Sequence, residues 1–133
     1  MNGKINCTLL VDDDIVSNFI SEKAIEFSNI THELKVVRNG QVALKYLENC
    51  LSANIPCPEL IFLDVNMPVM DGFDFLYSYR EKYKNDKRAV VVLTSSDNVE
   101  DIEYLSQFEI MAYINKPLTD EKISDLMIKY FDK

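Results

Sequence analysis

Apolar residues fall along this chain in blocks, and the period of the blocks alternates between strand-like and helical. Cys7 to Val11 is a short apolar run that stops at Asp12-Asp13-Asp14. Beyond it Ile15, Val16, Phe19, Ile20, Ala24, Ile25 and Phe27 recur at helical spacing, which predicts a helix with a broad apolar stripe. Leu34-Lys35-Val36-Val37 is a weaker strand, ended by the turn signal Asn39-Gly40. Gln41 to about Leu51 reads as a second helix carrying Val42, Ala43, Tyr46 and Leu47. Pro56 and Pro58 punctuate the loop before Leu60-Ile61-Phe62-Leu63, a continuous apolar strand that stops at Asp64. Asp71-Gly72 reads as the turn into a helix running to about Tyr83, with Phe73, Leu76, Tyr77 and Tyr79 as its apolar content. Ala89 to Leu93 is an unbroken apolar strand ending at Thr94-Ser95-Ser96. A helix with Val99, Ile102, Leu105 and Phe108, capped by Asp97 or Asn98, leads to a last strand from Ile110 to Ile114. That strand is closed by Asn115-Lys116-Pro117, and the final helix carries Ile123, Leu126, Met127, Tyr130 and Phe131.

Five strands alternating with five helices imply an α/β fold with a parallel sheet covered on both faces. Right-handed crossovers leave few topologies at this length. The expectation is a flavodoxin-like, doubly wound (βα)5 domain with strand order 2-1-3-4-5. It is expected to be one domain over residues 1–133, with no output domain after the final helix.

The polar residues gather where the apolar strands stop. Strand one ends in Asp12-Asp13-Asp14, strand three in Asp64, strand four in Thr94-Ser95 and strand five before Lys116. In a doubly wound sheet, ligands bind beyond the carboxyl ends of the strands, near the point where strand order reverses. Asp12, Asp13 and Asp64 are therefore expected to converge in one cleft, with Thr94 and Lys116 on its rim. Three carboxylates held together repel one another, so they take up protons or bind a cation. An oxygen-only donor set with room for water suits Mg2+, with Mn2+ possible. A lysine and a hydroxyl beside the acids make sense if a dianionic phosphoryl group also enters, and a carboxylate is itself able to accept it covalently. Only Gly3, Gly40 and Gly72 occur, so neither a dinucleotide fingerprint nor a P-loop is present.

Composition narrows the partners. Lys plus Arg number 14 against 22 Asp plus Glu, a formal charge of −8, which opposes binding to nucleic acid or to an anionic membrane surface. No stretch is apolar enough to span a bilayer, and Met1-Asn2-Gly3-Lys4 lacks the apolar core of a signal peptide, so a cytoplasmic location is expected. Cys7, Cys50 and Cys57 show no Cys-x-x-Cys spacing and read as free thiols of a reducing compartment. The lone His32 reads as structural or exposed, and Asp14 as either a helix cap or a further member of the acidic site.

These residues resemble the response-regulator receiver family. Leu9-Leu10-Val11-Asp12-Asp13-Asp14 resembles its acidic first strand end, and Leu63-Asp64-Val65-Asn66-Met67-Pro68-Val69-Met70-Asp71-Gly72 its phosphoacceptor segment. Val92-Leu93-Thr94-Ser95 is similar to its switch hydroxyl, and Tyr113-Ile114-Asn115-Lys116-Pro117 to its switch aromatic and Lys-Pro pair. The likeness runs through nearly the whole chain in the family's order.

The resemblance implies that Asp64 takes a phosphoryl group from a phosphohistidine on a histidine kinase or histidine phosphotransfer protein. It implies Mg2+ ligation by Asp13, Asp64 and the backbone carbonyl of Asn66, with Asp12 acting largely through water. Lys116 would pair with a phosphoryl oxygen, and its bond to Pro117 is usually cis in the family. Thr94 would turn onto the phosphoryl group, Tyr113 would rotate inward, and the face of the fourth helix, fifth strand and fifth helix would change for an unknown downstream protein. The unphosphorylated chain would be a monomer, with a dimer possible on phosphorylation, and the protein a signalling element rather than an enzyme. Met111 and Ala112 depart from the smaller, glycine-containing sequence of many members. Ser95 is small, as the family usually needs, and Asn66 and Ser96 stand where the phosphoryl lifetime is tuned. One alternative is an aspartyl-phosphate phosphatase of the haloacid-dehalogenase type, which usually has a second acid where Asn66 stands. The other is a phosphorylation-independent interaction module, which typically loses one of the acids or the lysine; this chain keeps all of them.

Overall fold

The apolar runs that end at Asp12, Asp64 and Thr94 become strands buried on both faces. The computed structural model describes residues 5–53, 55, 57–64, 72–84, 86, 88–94, 103 and 108–131. Its strands are β1 (Ile5–Val11), β2 (Thr31–Val37), β3 (Leu60–Asp64), β4 (Ala89–Thr94) and β5 (Ala112–Asn115). All pair in parallel, in the order β2-β1-β3-β4-β5. The described helices are α1 (Ile15–Ser28), α2 (Gly40–Ala53), α3 (Gly72–Lys82) and a C-terminal helix (Asp120–Tyr130). The doubly wound order expected from the sequence is the one observed. Val99, Ile102 and Leu105 of the helix expected to run to Phe108, its caps Asp97 and Asn98, and the turn residue Asp71 lie outside the described residues.

Period-two alternation sorts the strand residues into two cores. Leu9, Val11, Ile61, Leu63, Val90 and Val92 face α2 and α3, where Ala43, Leu47, Phe75, Leu76 and Tyr79 complete the layer. Leu10, Leu60, Phe62, Val91 and Leu93 face the other way, against Ile25 of α1 and Ile123, Leu126 and Met127 of the C-terminal helix. A strand serving both layers has no polar face to show, which is why β3 and β4 read as continuous apolar runs.

Three boundaries differ from the sequence expectation. β1 starts two residues earlier than Cys7, at Ile5. β2 begins at Thr31, three residues before Leu34, because Ile5 pairs with Thr31 and Cys7 with Glu33 on an edge strand whose outer side faces water. His32 sits there, exposed. β5 starts at Ala112, two residues after Ile110.

α1 differs more. Only part of its expected stripe is its buried face: Ile25 is buried, but Ile15, Val16, Phe19, Ile20 and Phe27 are exposed, and the polar Asn18 and Ser21 are buried. The reason lies at the helix start. Asn18 Nδ2 donates to the Asp12 carbonyl at 2.7 Å and Ser17 Oγ to Asp12 Oδ2 at 2.5 Å, so the first turns are oriented by polar contacts to the end of β1. Asp14 is the cap, accepting from Ser17 N–H at 3.1 Å, and Asn29 closes the helix with φ 55°, a left-handed conformation that Asn tolerates.

Candidate functional site

The carboxyl ends of β1 and β3 bring the expected acids together. One carboxylate oxygen each from Asp12, Asp13 and Asp64 lies within 4.8 Å of the others. Asp12 is fully buried, Asp64 is 4% exposed and Asp13 is half-buried. Such a cluster survives in a low-dielectric setting only with compensating positive charge.

Lys116 supplies part of it. From the end of β5 its Nζ donates to Asp12 Oδ2 at 2.9 Å and to Asp64 Oδ2 at 3.1 Å. Lys116 N–H also donates to the Thr94 carbonyl at 2.8 Å, fixing the segment after β5 against the end of β4. The Lys116–Pro117 peptide is cis.

Asp12 is engaged from several sides. Besides Lys116 and Ser17, the Asp14 N–H donates to its Oδ1 at 3.0 Å. Burial alone would raise its carboxyl. The bonds from Ser17, Asp14 and Lys116, with the lysine's charge, outweigh burial and hold it below the usual carboxylate range. Burial likewise pulls the Lys116 ammonium down, and Asp12 and Asp64 together push it above its ordinary value. Asp13 differs, in that none of the described residues hydrogen-bonds its side chain. Its backbone carbonyl accepts from the Arg38 guanidinium at 3.3 Å.

Of the other expected site residues, Thr94 is the half-buried last residue of β4. Tyr113 lies on β5 with 37% of its surface exposed, so it is not a core residue. Asn66, Ser95 and Ser96 lie outside the described residues. Sequence reasoning missed Ser17 and Asn18. The available signal was their polarity inside an apolar stripe one turn after the acids.

The whole arrangement matches one family. Residues 8–128 fit the model of the response regulator receiver domain. The chain belongs to the response-regulator receiver family. It is 32% identical to response regulator Rcp1 of Synechocystis sp. over 109 residues, covering 81% of this chain and 74% of that protein. A solved two-component response regulator from Cytophaga hutchinsonii superposes with a TM-score of 0.85 at 27% identity, covering 98% of this chain and 99% of the other. The Mn(2+)-bound form of response regulator Rcp1 matches at 0.76 and 26%, over 96% and 95% of the two chains. The phosphorylated cyanobacterial phytochrome response regulator RcpA matches at 0.76 and 29%, over 92% and 89%. The protein is thus a receiver domain of two-component signalling, and among its described residues no helix is long and apolar enough to cross a membrane.

Proposed function

We propose that this receiver is a phosphoacceptor in which Asp64 attacks the phosphorus of a phosphohistidine donor, with Mg2+ held by Asp13, Asp64 and the carbonyl of Asn66. The observation that carries this reading is the joint placement of three acids and one lysine at the switch point of the sheet. The donor set is oxygen only, which fits a hard divalent cation, and a similar protein is known in a Mn(2+)-bound form. The metal, when bound, neutralises charge that builds on the transferring phosphoryl oxygens. The chain's own residues do the remainder. Ser17, Asn18 and the Asp14 N–H hold Asp12 in place, from where it would act on the metal largely through water. Lys116 moves from its carboxylate partners to a phosphoryl oxygen, and Thr94 turns its hydroxyl onto the same group. Tyr113 then rotates inward and reshapes the face formed by the fourth helix, β5 and the C-terminal helix for a downstream protein. In this reading the protein is one cytoplasmic domain, monomeric until phosphorylated, that signals by binding and is not an independent enzyme.

The test is intact-protein mass spectrometry after incubation with acetyl phosphate, with and without Mg2+, beside an Asp64→Ala variant. A magnesium-dependent gain of one phosphoryl group, absent from the variant, supports the reading. No gain by the wild type with acetyl phosphate, nor with a phosphohistidine donor, would leave only an interaction module.

The same reading gives the exposed face of α1 a role. Val16, Ile20, Lys116 and Pro117 line one groove of about 260 Å³ that opens beside the acid cluster. Phe19, 62% exposed, continues this apolar surface along the helix. A donor protein delivering its phosphohistidine to Asp64 must cover this groove, so apolar residues here would be buried on docking. Phe19→Ala is therefore expected to slow transfer from a protein donor by roughly tenfold, about 1.4 kcal/mol, while uptake from acetyl phosphate stays unchanged. Equal slowing with both donors would place Phe19 in stability instead.

A further inference from the structure

Lys122 reaches out of the C-terminal helix to the chain on either side of Lys116. Its Nζ donates to the Asn115 carbonyl at 2.7 Å and to the Pro117 carbonyl at 2.9 Å. Thr119 caps the helix, its Oγ1 accepting from the Lys122 N–H at 3.2 Å, which places Lys122 in the first turn. The helix dipole favours a cation in the last turn, so the helix alone gives no reason for a lysine here. The bonds lead instead to the segment that aims Lys116. That segment runs from the end of β5 to Leu118, which is buried. Within it the Lys116 N–H is held by the Thr94 carbonyl at 2.8 Å. Pro117 has no N–H, so hydrogen bonding can tie that residue down only through its carbonyl. Lys122 supplies that tie and adds a second on the other side of Lys116.

We propose that Lys122 is a positioning residue for Lys116: its ammonium clamps the two carbonyls that flank Lys116 and so fixes where the Lys116 ammonium points. With the clamp in place, Lys116 Nζ lies 2.9 Å from Asp12 Oδ2 and 3.1 Å from Asp64 Oδ2. Without it the two carbonyls lose their shared donor, and the Lys116 side chain samples directions other than this bridge. Lys122 donates to backbone oxygens and not to the acids, so it acts through Lys116. The size of the effect is bounded from above. A misplacement of about 1 Å costs a reaction roughly 100-fold in rate. The clamp is open to solvent, and Thr94 still holds the Lys116 N–H once it is gone. The loss should therefore be smaller, roughly tenfold. For the rate of phosphoryl uptake the inference rests on the phosphoacceptor reading above; for the aim of Lys116 in the unmodified protein it does not.

Two measurements on the full chain test it. The first follows the nitrogen NMR resonance of the Lys116 ammonium in metal-free, unphosphorylated protein, identified by its loss in Lys116→Ala. In the parent the bridged ammonium should exchange its protons slowly with water. Lys122→Met keeps the apolar stem and removes the clamp, so exchange at Lys116 should become several-fold faster while the urea unfolding midpoint stays level. Unchanged exchange would overturn the proposal, and a midpoint that falls with faster exchange would mark general loosening and count equally against it. The second measures phosphoryl uptake from acetyl phosphate with Mg2+. Lys122→Met should be slower than the parent by roughly tenfold. The double variant should be no slower than Lys116→Ala alone, because nothing is left to position. Losses that multiply in the double variant would give Lys122 a role of its own and overturn the proposal. A parent that takes up no phosphoryl group would sink the phosphoacceptor reading, and the exchange measurement would then decide the clamp by itself.

Discussion

Lys116→Ala is expected to lower the stability of the metal-free protein at neutral pH by about 3 kcal/mol, near the lower end for stripping one partner from a buried ion pair. It is also expected to slow phosphoryl uptake from acetyl phosphate by roughly 100-fold or more, the loss typical of removing one donor from developing negative charge. Both effects come from the same ammonium. In the unmodified protein it bridges Asp12 Oδ2 and Asp64 Oδ2, and without it three neighbouring carboxylates lose that cation. The pH dependence distinguishes this account from simple loss of packing. Asp12 is held below its ordinary 3.8, so its contribution to stability is present above that pH and is lost as pH falls through the folded value. Lys116 is held above 10.5, so its contribution is present below that pH and is lost as pH rises through the folded value. Between the two the unmodified protein keeps both. In the variant, burial of Asp12 is opposed only by Ser17 and Asp14, and proton uptake relieves the repulsion. Urea unfolding midpoints should therefore rise from pH 7 to pH 5 in Lys116→Ala and stay nearly level in the parent. Parallel curves for the two proteins would count against a charge-based clasp.

Asp13→Asn should separate metal binding from folding. Asp13 is the acid whose side chain no described residue engages, so the amide removes repulsion and breaks no hydrogen bond among the described residues. Stability without metal is expected to stay level or rise by about 0.5 kcal/mol, within the range for a substitution away from core and network. The response to Mg2+ should be lost. A ligand at 100 times its dissociation constant stabilises the folded state by about 2.7 kcal/mol, which for a chain of this size raises Tm by roughly 10 °C. The parent should show that rise on adding Mg2+ and lose it on adding EDTA, with Asp13→Asn flat in both. A full Mg2+-dependent shift in the variant would move the metal away from Asp13.

Much of this was legible in the sequence because burial on two faces leaves a plain trace. β3 and β4 serve both cores, so every residue in them but the last is apolar, and that last residue, Asp64 or Thr94, marks the edge where the site lies. What was illegible has two physical causes. On β2, Thr31-His32-Glu33 form strand by pairing with β1, while their side chains face water and carry no hydrophobic signal. On α1, spacing alone put Ile15, Val16 and Phe19 toward the core, because hydropathy does not register that buried Asp12 requires Ser17 and Asn18 beside it.

The bond between Lys116 and Asp12 joins residues 104 positions apart. Synthesis runs from the amino end, so a ribosome delivers the acid early and its cation only when most of the chain has emerged. Until then the growing chain carries an acid cluster with no lysine to close it, and the long loop must be closed before the contact contributes anything. The site is thus finished last, and a molecule able to take up phosphate is one whose final strand is already in the sheet.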